Sequence, residues 1–307
     1  MPKISTQQSW QYITEDIPED PVATAFMLPG RITGETPIDP KFNIKEIIGL
    51  KQPTSTDMRR TDNIVPNRNE YPFSITYVPL KRISAPKYDF RHFHNMAMNA
   101  SSATTAGGGW TYGTSITTNL LTFTLFKEID NLQFRLSGCK ITRLTARSSL
   151  DNPVEIAVEG MGSLSTAADL SRTDASSITD GVPFWWSDVQ VYIDGALATF
   201  CTAFEYTIDN KGKSNHVLGD RDPKGVVVTG RSIDLSITRQ FNDLDEYIDA
   251  KNGTAKSVTI VLDDATDANI RFRDCKYDDH PIPGTAISSA EILTHILRLK
   301  AEEMSTN

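Results

Sequence analysis

Residues Gly138 to Gly162 read GCKITRLTARSSLDNPVEIAVEGMG, and this stretch decides the class of fold. A β-prone run follows the first glycine, a break falls at Asp151-Asn152-Pro153, and a strict apolar-polar alternation continues to the last glycine. Alternation with a period of two indicates a strand that buries one face. The stretch contains no nucleophile elbow, no metal-ligand spacing and no phosphate-binding loop. It therefore predicts strands with a structural role rather than a catalytic centre.

The second half of the chain continues the same pattern. Val189, Val191 and Ile193 alternate with polar residues, and Asp194-Gly195 then supplies the dipeptide typical of a tight hairpin, because both residues tolerate positive φ. One helix interrupts the strands at residues 241–253, FNDLDEYIDAKNG, with Asn242 or Asp243 as its N-cap. Further strands are predicted at residues 197–208, 231–241, 256–262 and 270–277.

The first hundred residues give weaker patterns. Residues 1–40, rich in Pro, Asp, Glu and Thr, predict an extended N-terminal arm. Residues 39–50 predict a short helix that ends before Pro53, because the residue before a proline avoids the helical region. Residues 71–80 resemble an edge strand, and the small polar residues 95–109 predict a long mobile loop.

The end of the chain carries a helix signal. Ser288 and Glu291 have capping-box spacing and precede a run rich in Ile and Leu, so residues 286–307 are assigned to a C-terminal helix. With a strand or hairpin at 111–126, the count reaches eight to ten strands and two or three helices, without βαβ alternation. This pattern predicts a mainly β chain, a β-barrel or sandwich with a flanking α-helix.

The predicted β domain covers residues 41–285. SGCKITRLTAR, from Ser137, and TGRSIDLSITR, from Thr229, both place a glycine before an alternating strand. This echo leaves open a division into two related halves, at about 41–165 and 180–285.

Composition excludes several classes of protein. The 307 residues are 39% hydrophobic and 23% charged, with a formal net charge of −8, so a protein that grips duplex DNA through clustered cations is not expected. No apolar run approaches the roughly 18–20 residues of a membrane helix, and the acidic N-terminus lacks the core of a signal peptide. We expect synthesis in a cytoplasm. Cys139, Cys201 and Cys275 are isolated and are interpreted as reduced and buried.

Several patterns resemble chemical sites and are better explained structurally. His92 and His94 share one face if their segment is a strand, but a metal needs further ligands at fixed distance. Residues 107–109, Gly-Gly-Gly, lack the ending of a P-loop. Residues 243–249 lack the glycine of a calcium loop, and the acidic residues 263–267 fit a solvated turn. No cofactor, metal site or catalytic residue is predicted.

The remaining candidates are aromatic residues. Trp185 and Trp186, with Trp110, would suit a sugar-stacking platform, although one ring in the core and one at an interface is the simpler interpretation. There is no G-x-S-x-G sequence, and no serine or cysteine has a recognisable histidine partner. We therefore expect that the chain is not an enzyme.

The order of these motifs resembles the tail tube proteins of tailed phages. The opening stretch is similar to the centre of that family, and Pro183-Phe184 followed by Asp194-Gly195 is similar to its hairpin. The strand end from Phe204 to Asn210 and the residues Gly219, Pro223 and Gly230 also follow the family's order, so the resemblance covers roughly residues 110–275. It implies a tail-tube-type β-barrel or sandwich with a flanking helix.

The resemblance also implies function and partners. Such proteins assemble as rings, commonly hexameric, which stack into a hollow tube for genome ejection. The implied partners are further copies of the chain and other tail proteins: the terminator, the baseplate or tip, the tape measure and, in some tails, a sheath. Viral DNA would pass through the lumen without specific binding, and the chain would not insert into a membrane. The implied location is the virion tail, after assembly in the host cytoplasm.

Four carboxylates on polar strand faces are predicted to line the channel, where they would repel DNA phosphates. They are Glu155, Glu159, Asp188 and Asp234. Carboxylates that merely face solvent remain an alternative. Two other functions also stay open: a terminator or baseplate-hub ring that reuses the tube fold, and a carbohydrate- or receptor-binding β-sandwich that uses the tryptophans.

Overall fold

A computed structural model of the chain describes thirteen segments. They are residues 8–14, 26–27, 30–36, 41–48, 61–81, 91–98, 110–113, 121–129, 132–168, 182–240, 245–263, 268–278 and 294–306. The helices are α1 Arg91–Met98 and α2 Asp245–Asn252, with a 3-10 turn at Trp186–Asp188. The strands are β1 Gln8–Thr14, β2 Phe26–Met27, β3 Gly30–Thr36, β4 Lys41–Ile48, β5 Thr61–Pro79, β6 Trp110–Gly113, β7 Phe123–Ile129, β8 Leu132–Ser149, β9 Glu155–Gly162, β10 Leu164–Ala168, β11 Gln190–Ile193, β12 Ala196–Leu197, β13 Cys201–Asp209, β14 Gly212–Asn215, β15 Gly225–Val228, β16 Ser232–Gln240, β17 Lys256–Asp263, β18 Ala268–Tyr277, β19 Thr294–Lys300 and β20 Glu303–Thr306.

A central antiparallel sheet runs in the order β3-β5-β9-β8-β13-β16-β19. The opening stretch of the sequence forms its middle hairpin, in which β8 and β9 pair from Lys140↔Met161 to Arg147↔Glu155. The turn between them contains Asp151 at φ 65°, the left-handed conformation that Asp and Asn tolerate best among residues with a side chain. Residues 138–162 therefore form strands with a structural role, as predicted, in the hairpin at the centre of the sheet.

Two long strands connect this sheet to its neighbours. The N-terminal part of β8 pairs with β7 and β10, while its C-terminal part belongs to the central sheet. The strand β18 touches β19 at one end and otherwise pairs with β17 and β20. β11 extends this second sheet beside β17, and β6 extends it beside β20. The chain therefore builds a mainly β architecture, as the sequence predicts.

The core lies between the central and second sheets and under α1. The rings of Tyr206 and Phe272 meet across the layers with centroids 5.2 Å apart. Phe123 packs edge-to-face on Phe73 and Phe93, so β7, β5 and α1 share one cluster. Burial of these large side chains is the main favourable contribution to folding. The apolar alternation of the strands thus defines the core.

Asn210 is a buried polar side chain at the end of β13. Its amide nitrogen donates to the carbonyl oxygens of Ala97 (2.8 Å) and Ile141 (3.0 Å), and its amide oxygen accepts from Arg231 (2.8 Å). These bonds satisfy the side-chain amide and connect α1, β8 and the segment before β16. Asn210 therefore fixes where the strand ends and where α1 lies.

Replacing Asn210 by Ala should lower the free energy of unfolding by about 2–4 kcal/mol, because two buried carbonyl oxygens and a partly buried guanidinium lose a partner. Chemical denaturation measures the effect. Asn215→Ala is the matched control, since Asn215 is exposed on β14. Equal stability of the two variants would contradict this role for Asn210.

Ion pairs hold α2 beside the two sheets. Glu246 accepts from Arg239 of β16 (2.7 Å) and His295 of β19 (2.7 Å). Lys256 bridges Asp249 of α2 (2.6 Å) and Asp194 of the β11–β12 turn (2.9 Å). The predicted tight hairpin is confirmed, with Asp194 at φ 51° and Gly195 at φ 80°. The predicted helix is confirmed over Asp245–Asn252, and its N-cap candidates Asn242 and Asp243 lie outside the described residues.

The Asp194 carboxylate makes stability depend on pH. Burial favours its neutral form, but the Ser257 amide and the Lys256 ammonium outweigh burial and hold the pKa of Asp194 below its ordinary value of 3.8. The unfolded chain then binds the proton more readily, so this stability is present above about pH 4 and is lost as pH falls through the folded pKa. Asp194→Asn should cost about 0.5–1 kcal/mol at pH 7 and weaken the loss below pH 4. Urea denaturation at several pH values measures both effects.

Asp151→Asn is the matched control for this test, because Asp151 is an exposed aspartate that also has positive φ. It should leave the free energy of unfolding at pH 7 close to that of the wild type. If the free energy of unfolding of Asp194→Asn fell with pH as steeply as that of the wild type, Asp194 would not be a source of the pH dependence.

Two predicted helices are wrong. Residues 294–306 of the predicted C-terminal helix form β19 and β20. His295, Leu297 and Leu299 are buried while the residues between them are exposed, so pairing with β16 selects a period of two. Residues 41–48 of the predicted short helix form β4, whose isoleucines suit an extended strand beside β5. Ser288 and Glu291 lie outside the described residues.

Two predicted irregular segments also differ from the structure. The helix α1 extends to Met98 and so includes the first residues of the predicted 95–109 loop; the rest of that loop lies outside the described residues. Within the predicted N-terminal arm, β1 pairs with β7 and β3 pairs with β5, which builds these parts into the sheets. The division of residues 41–285 into two halves stays a prediction; β8 and β13, one from each half, pair directly.

Candidate functional site

The surface of the central sheet that faces away from the core is polar, and we call it the polar face. Along each strand its residues alternate with buried ones, so the sheet has one apolar side and one hydrated side. β5 and β9 contribute one edge of this surface, and β16 and β19 contribute the other. Its members are Ser74, Thr76, Glu155, Ala157, Glu159, Arg143, Thr145, Arg147, Glu205, Thr207, Asp209, Ser232, Asp234, Ser236, Thr238, Ile296, Arg298 and Lys300.

Strand register arranges the charges of the polar face in rows across the sheet. In the first row, Arg143 lies between Glu159 on β9 and Asp209 on β13. In the second, Arg147 lies between Glu155 and Glu205, and its guanidinium binds the Glu155 carboxylate at 2.6 Å. Each arginine therefore has a carboxylate on both neighbouring strands, the arrangement that favours cross-strand attraction.

The row between these two is mostly uncharged. Thr145 and Thr207 face each other across β8 and β13, and their hydroxyls are 3.0 Å apart. The row then ends with Asp234 on β16 opposite Lys300 on β19. With five carboxylates and four basic groups, the polar face is close to neutral although the chain is acidic. Its charge is distributed in alternation rather than as an acidic patch.

The structure brings together three of the four predicted channel carboxylates. Glu155, Glu159 and Asp234 lie on the polar face, on two different strands. Asp188 lies elsewhere, at the end of the 3-10 turn, where its carboxylate binds Lys81 at 2.6 Å. The prediction that Asp188 lies on the polar face of an alternating strand is wrong, because the 3-10 turn interrupts the extended chain just before β11.

Sequence reasoning missed the basic half of the surface. Arg143, Arg147, Arg298 and Lys300 lie beside the carboxylates only because of the pairing of β8 and of β19. The alternation within β8 gives the side on which its arginines lie. The partners across the sheet depend on register, which the sequence of a single strand does not specify.

The other candidates for chemistry have structural roles or lie outside the described residues. His94 is on α1, not on a strand, and its Nε2 lies 2.7 Å from the buried hydroxyl of Tyr206. Cys139 and Cys275 are buried and reduced, and Cys201 is reduced and partly buried. In the described part of the chain, no three acidic, His or Cys side chains are grouped as metal ligands. Residues 107–109 and 264–267 are not described.

The tryptophans do not follow the predicted in-and-out arrangement. Trp185 is 40% exposed and Trp186 is partly exposed at the 3-10 turn, so neither ring lies in the core. The side chain of Trp110, on β6, is not described. Among the described helices, none has the length and apolar character needed to cross a bilayer.

The family model of the phage tail tube protein matches residues 85–298 of the chain, well over half of its length. The match contains the β8–β9 hairpin, β13, β16 and most of the polar face. The chain therefore belongs to the phage tail tube protein family. No curated protein matches the chain. Membership makes it a structural component of the virion tail, a class of protein that assembles with itself and with other tail proteins.

The charges of the polar face should contribute little to folding. Arg147 is mostly exposed, so a double-mutant cycle with Arg147→Gln and Glu155→Gln should give a coupling of at most about 1 kcal/mol. The coupling should also fall when salt is raised, because exposed ion pairs are screened. Urea denaturation at low and high salt measures it. A coupling above about 2 kcal/mol that salt leaves unchanged would show that the row is a stability element.

Proposed function

We propose that the chain is the major subunit of the tail tube, and that its copies form stacked rings around the channel through which the genome leaves. The observation that carries the proposal is the polar face. It extends without interruption over six paired strands and has a single apolar core behind it. A wall needs this combination: a hydrated inner surface and a packed layer that supports it.

The width of the sheet suits a ring of six copies. Six strands at a spacing of about 4.8 Å make roughly 29 Å of wall for each copy. Six such walls give a circumference of about 170 Å and a diameter of about 55 Å between opposite backbones, which leaves room for a DNA duplex inside the side chains. The hexamer itself comes from the family resemblance, and this estimate is compatible with it.

The charge rows suit passage of DNA without retention. Exposed arginines would otherwise bind phosphates, since neutralising phosphate charge is the main source of nonspecific affinity for DNA. Arg143 and Arg147 each lie between two carboxylates, which compensate the cation and repel phosphate. In this proposal Glu155, Glu159 and Asp234 face the channel, whereas Asp188 is tied to Lys81 away from this surface.

The purified chain should polymerise without other tail proteins. Negative-stain electron microscopy at several protein and salt concentrations should show hollow tubes of uniform width, because the subunit itself carries the wall. Rings that never stack would favour a terminator or baseplate-hub ring instead. Discrete oligomers that bind glycans through Trp185 and Trp186 would contradict a tube protein.

Cysteine labelling of assembled tubes should locate the polar face. In a Cys201→Ser background, Glu205→Cys places a thiol at the centre of that surface, and Arg271→Cys places one on the exposed side of β18 as a matched control. In tubes, a small maleimide should label both thiols, whereas a maleimide on a large polymer should label only residue 271, because the polymer cannot enter the channel. In monomers both reagents should label both sites.

The alternatives give different labelling patterns. A polar face on the outside of the tube would react with both reagents at residue 205. A polar face buried between copies would react with neither. Either pattern would contradict the placement of the polar face along the channel.

A further inference from the structure

A leucine stands fully exposed at the tip of the β14–β15 hairpin. Leu218 occupies the second position of a β-turn in which the Asp220 amide donates to the Val217 carbonyl oxygen (3.4 Å). Gly219 follows at φ 88°, the conformation that the third position of a type II turn requires. The turn therefore directs a large apolar side chain into solvent.

This turn is held by several polar contacts. The Asp222 carboxylate accepts hydrogen bonds from the amide of Asn69 (2.6 Å) and from the hydroxyl of Tyr71. The backbone amide of Asn69 donates to the Arg221 carbonyl oxygen (2.8 Å), and Lys224 binds Asp220 at 2.7 Å. The loop is thus fixed to the middle of β5. Leu218 is presented on a rigid support, so little conformational entropy would be lost when it docks.

An apolar groove lies at the end of the central sheet that is opposite to Leu218. It has a volume of about 410 Å³ and begins where β8 ends and β13 starts. Phe200 is 68% exposed on its rim and has φ 58°, an uncommon conformation for a bulky residue that costs free energy. Leu150 and Leu197 are also about half exposed beside it. Further apolar lining residues include Trp186, Val189 and Val191.

Strand register fixes the relative position of the two features. β13 starts beside the groove at Cys201 and ends at Asp209, three residues before β14. Its nine residues span about 30 Å. Leu218 and the groove therefore lie at opposite ends of the central sheet. Leu218 is too far from the groove of its own chain to enter it, but it can contact the groove of a second copy.

We propose that Leu218 of one copy docks into the groove of the next copy, and this inference rests on the proposed self-assembly. The occupant is a second copy because Leu218, an apolar knob on a fixed turn, and the apolar groove lie at opposite ends of one chain. Such a head-to-tail contact is heterologous and propagates from copy to copy. The contact also removes the exposed side chains of Leu218 and Phe200 from water, which is favourable.

Three single variants test the contact. Leu218→Ser removes the knob, and Phe200→Asn removes the groove's ring while keeping a residue that tolerates positive φ. Neither should melt below the wild type, and each should raise the critical concentration for assembly about tenfold or more. Ile248→Ser is the matched control, because Ile248 is half exposed on α2 away from both features, and it should assemble normally.

Mixing the two variants gives the sharper test. Leu218→Ser keeps an intact groove and Phe200→Asn keeps an intact knob, so one mixed contact can form but cannot propagate. Sedimentation of the mixture should show assemblies joined in pairs and no long polymer. Assembly of either variant at the wild-type concentration, or a mixture without pairs, would overturn the docking and leave the proposed function intact. A wild-type chain that stays monomeric at every concentration would contradict both.

Discussion

The pairing of β8 with β13 is the contact on which the rest of the structure depends. It joins Arg143–Ser149 to Ala203–Asp209 over seven residue pairs, across more than fifty residues of sequence. Without it, the sheet would divide into β3-β5-β9-β8 and β13-β16-β19, and each part would gain an unpaired edge along β8 or β13. With it, the core behind the sheet and the polar face in front of it become continuous.

The two sides of the sheet that this pairing creates have different roles. The buried side supplies the stability, since Leu144, Tyr206 and Ile237 are removed from water. The polar side carries charges that are too exposed to stabilise the fold strongly. In the proposed tube, Arg143 and Arg147 each lie between two carboxylates, so this part of the surface can stay hydrated and charged without holding a polyanion.

The sequence predicted the strands of the second half well, because their alternation is regular and their turns have strong signals. Asp194-Gly195 is an example, since few other dipeptides tolerate both turn conformations. Prediction failed at residues 294–300, where apolar residues fit a period of two or of 3.6 and the partner strand decides. It also failed for the polar face. Glu155 and Glu159 can be placed on one side of β9 from sequence, but Arg143 and Arg147 become their partners only through register. Asn210 was noted as part of a motif, yet its three buried hydrogen bonds are visible only in the fold.

We propose that the polar face lines the channel of a tube built from this chain alone. A three-dimensional electron cryomicroscopy reconstruction of tubes assembled from the purified chain will show which strands form the inner layer of the wall. The β9, β8, β13 and β16 strands should form the innermost layer, with Glu159, Thr145 and Asp234 directed to the lumen. A reconstruction in which these residues are buried between copies, or lie on the outer surface of the tube, would contradict it.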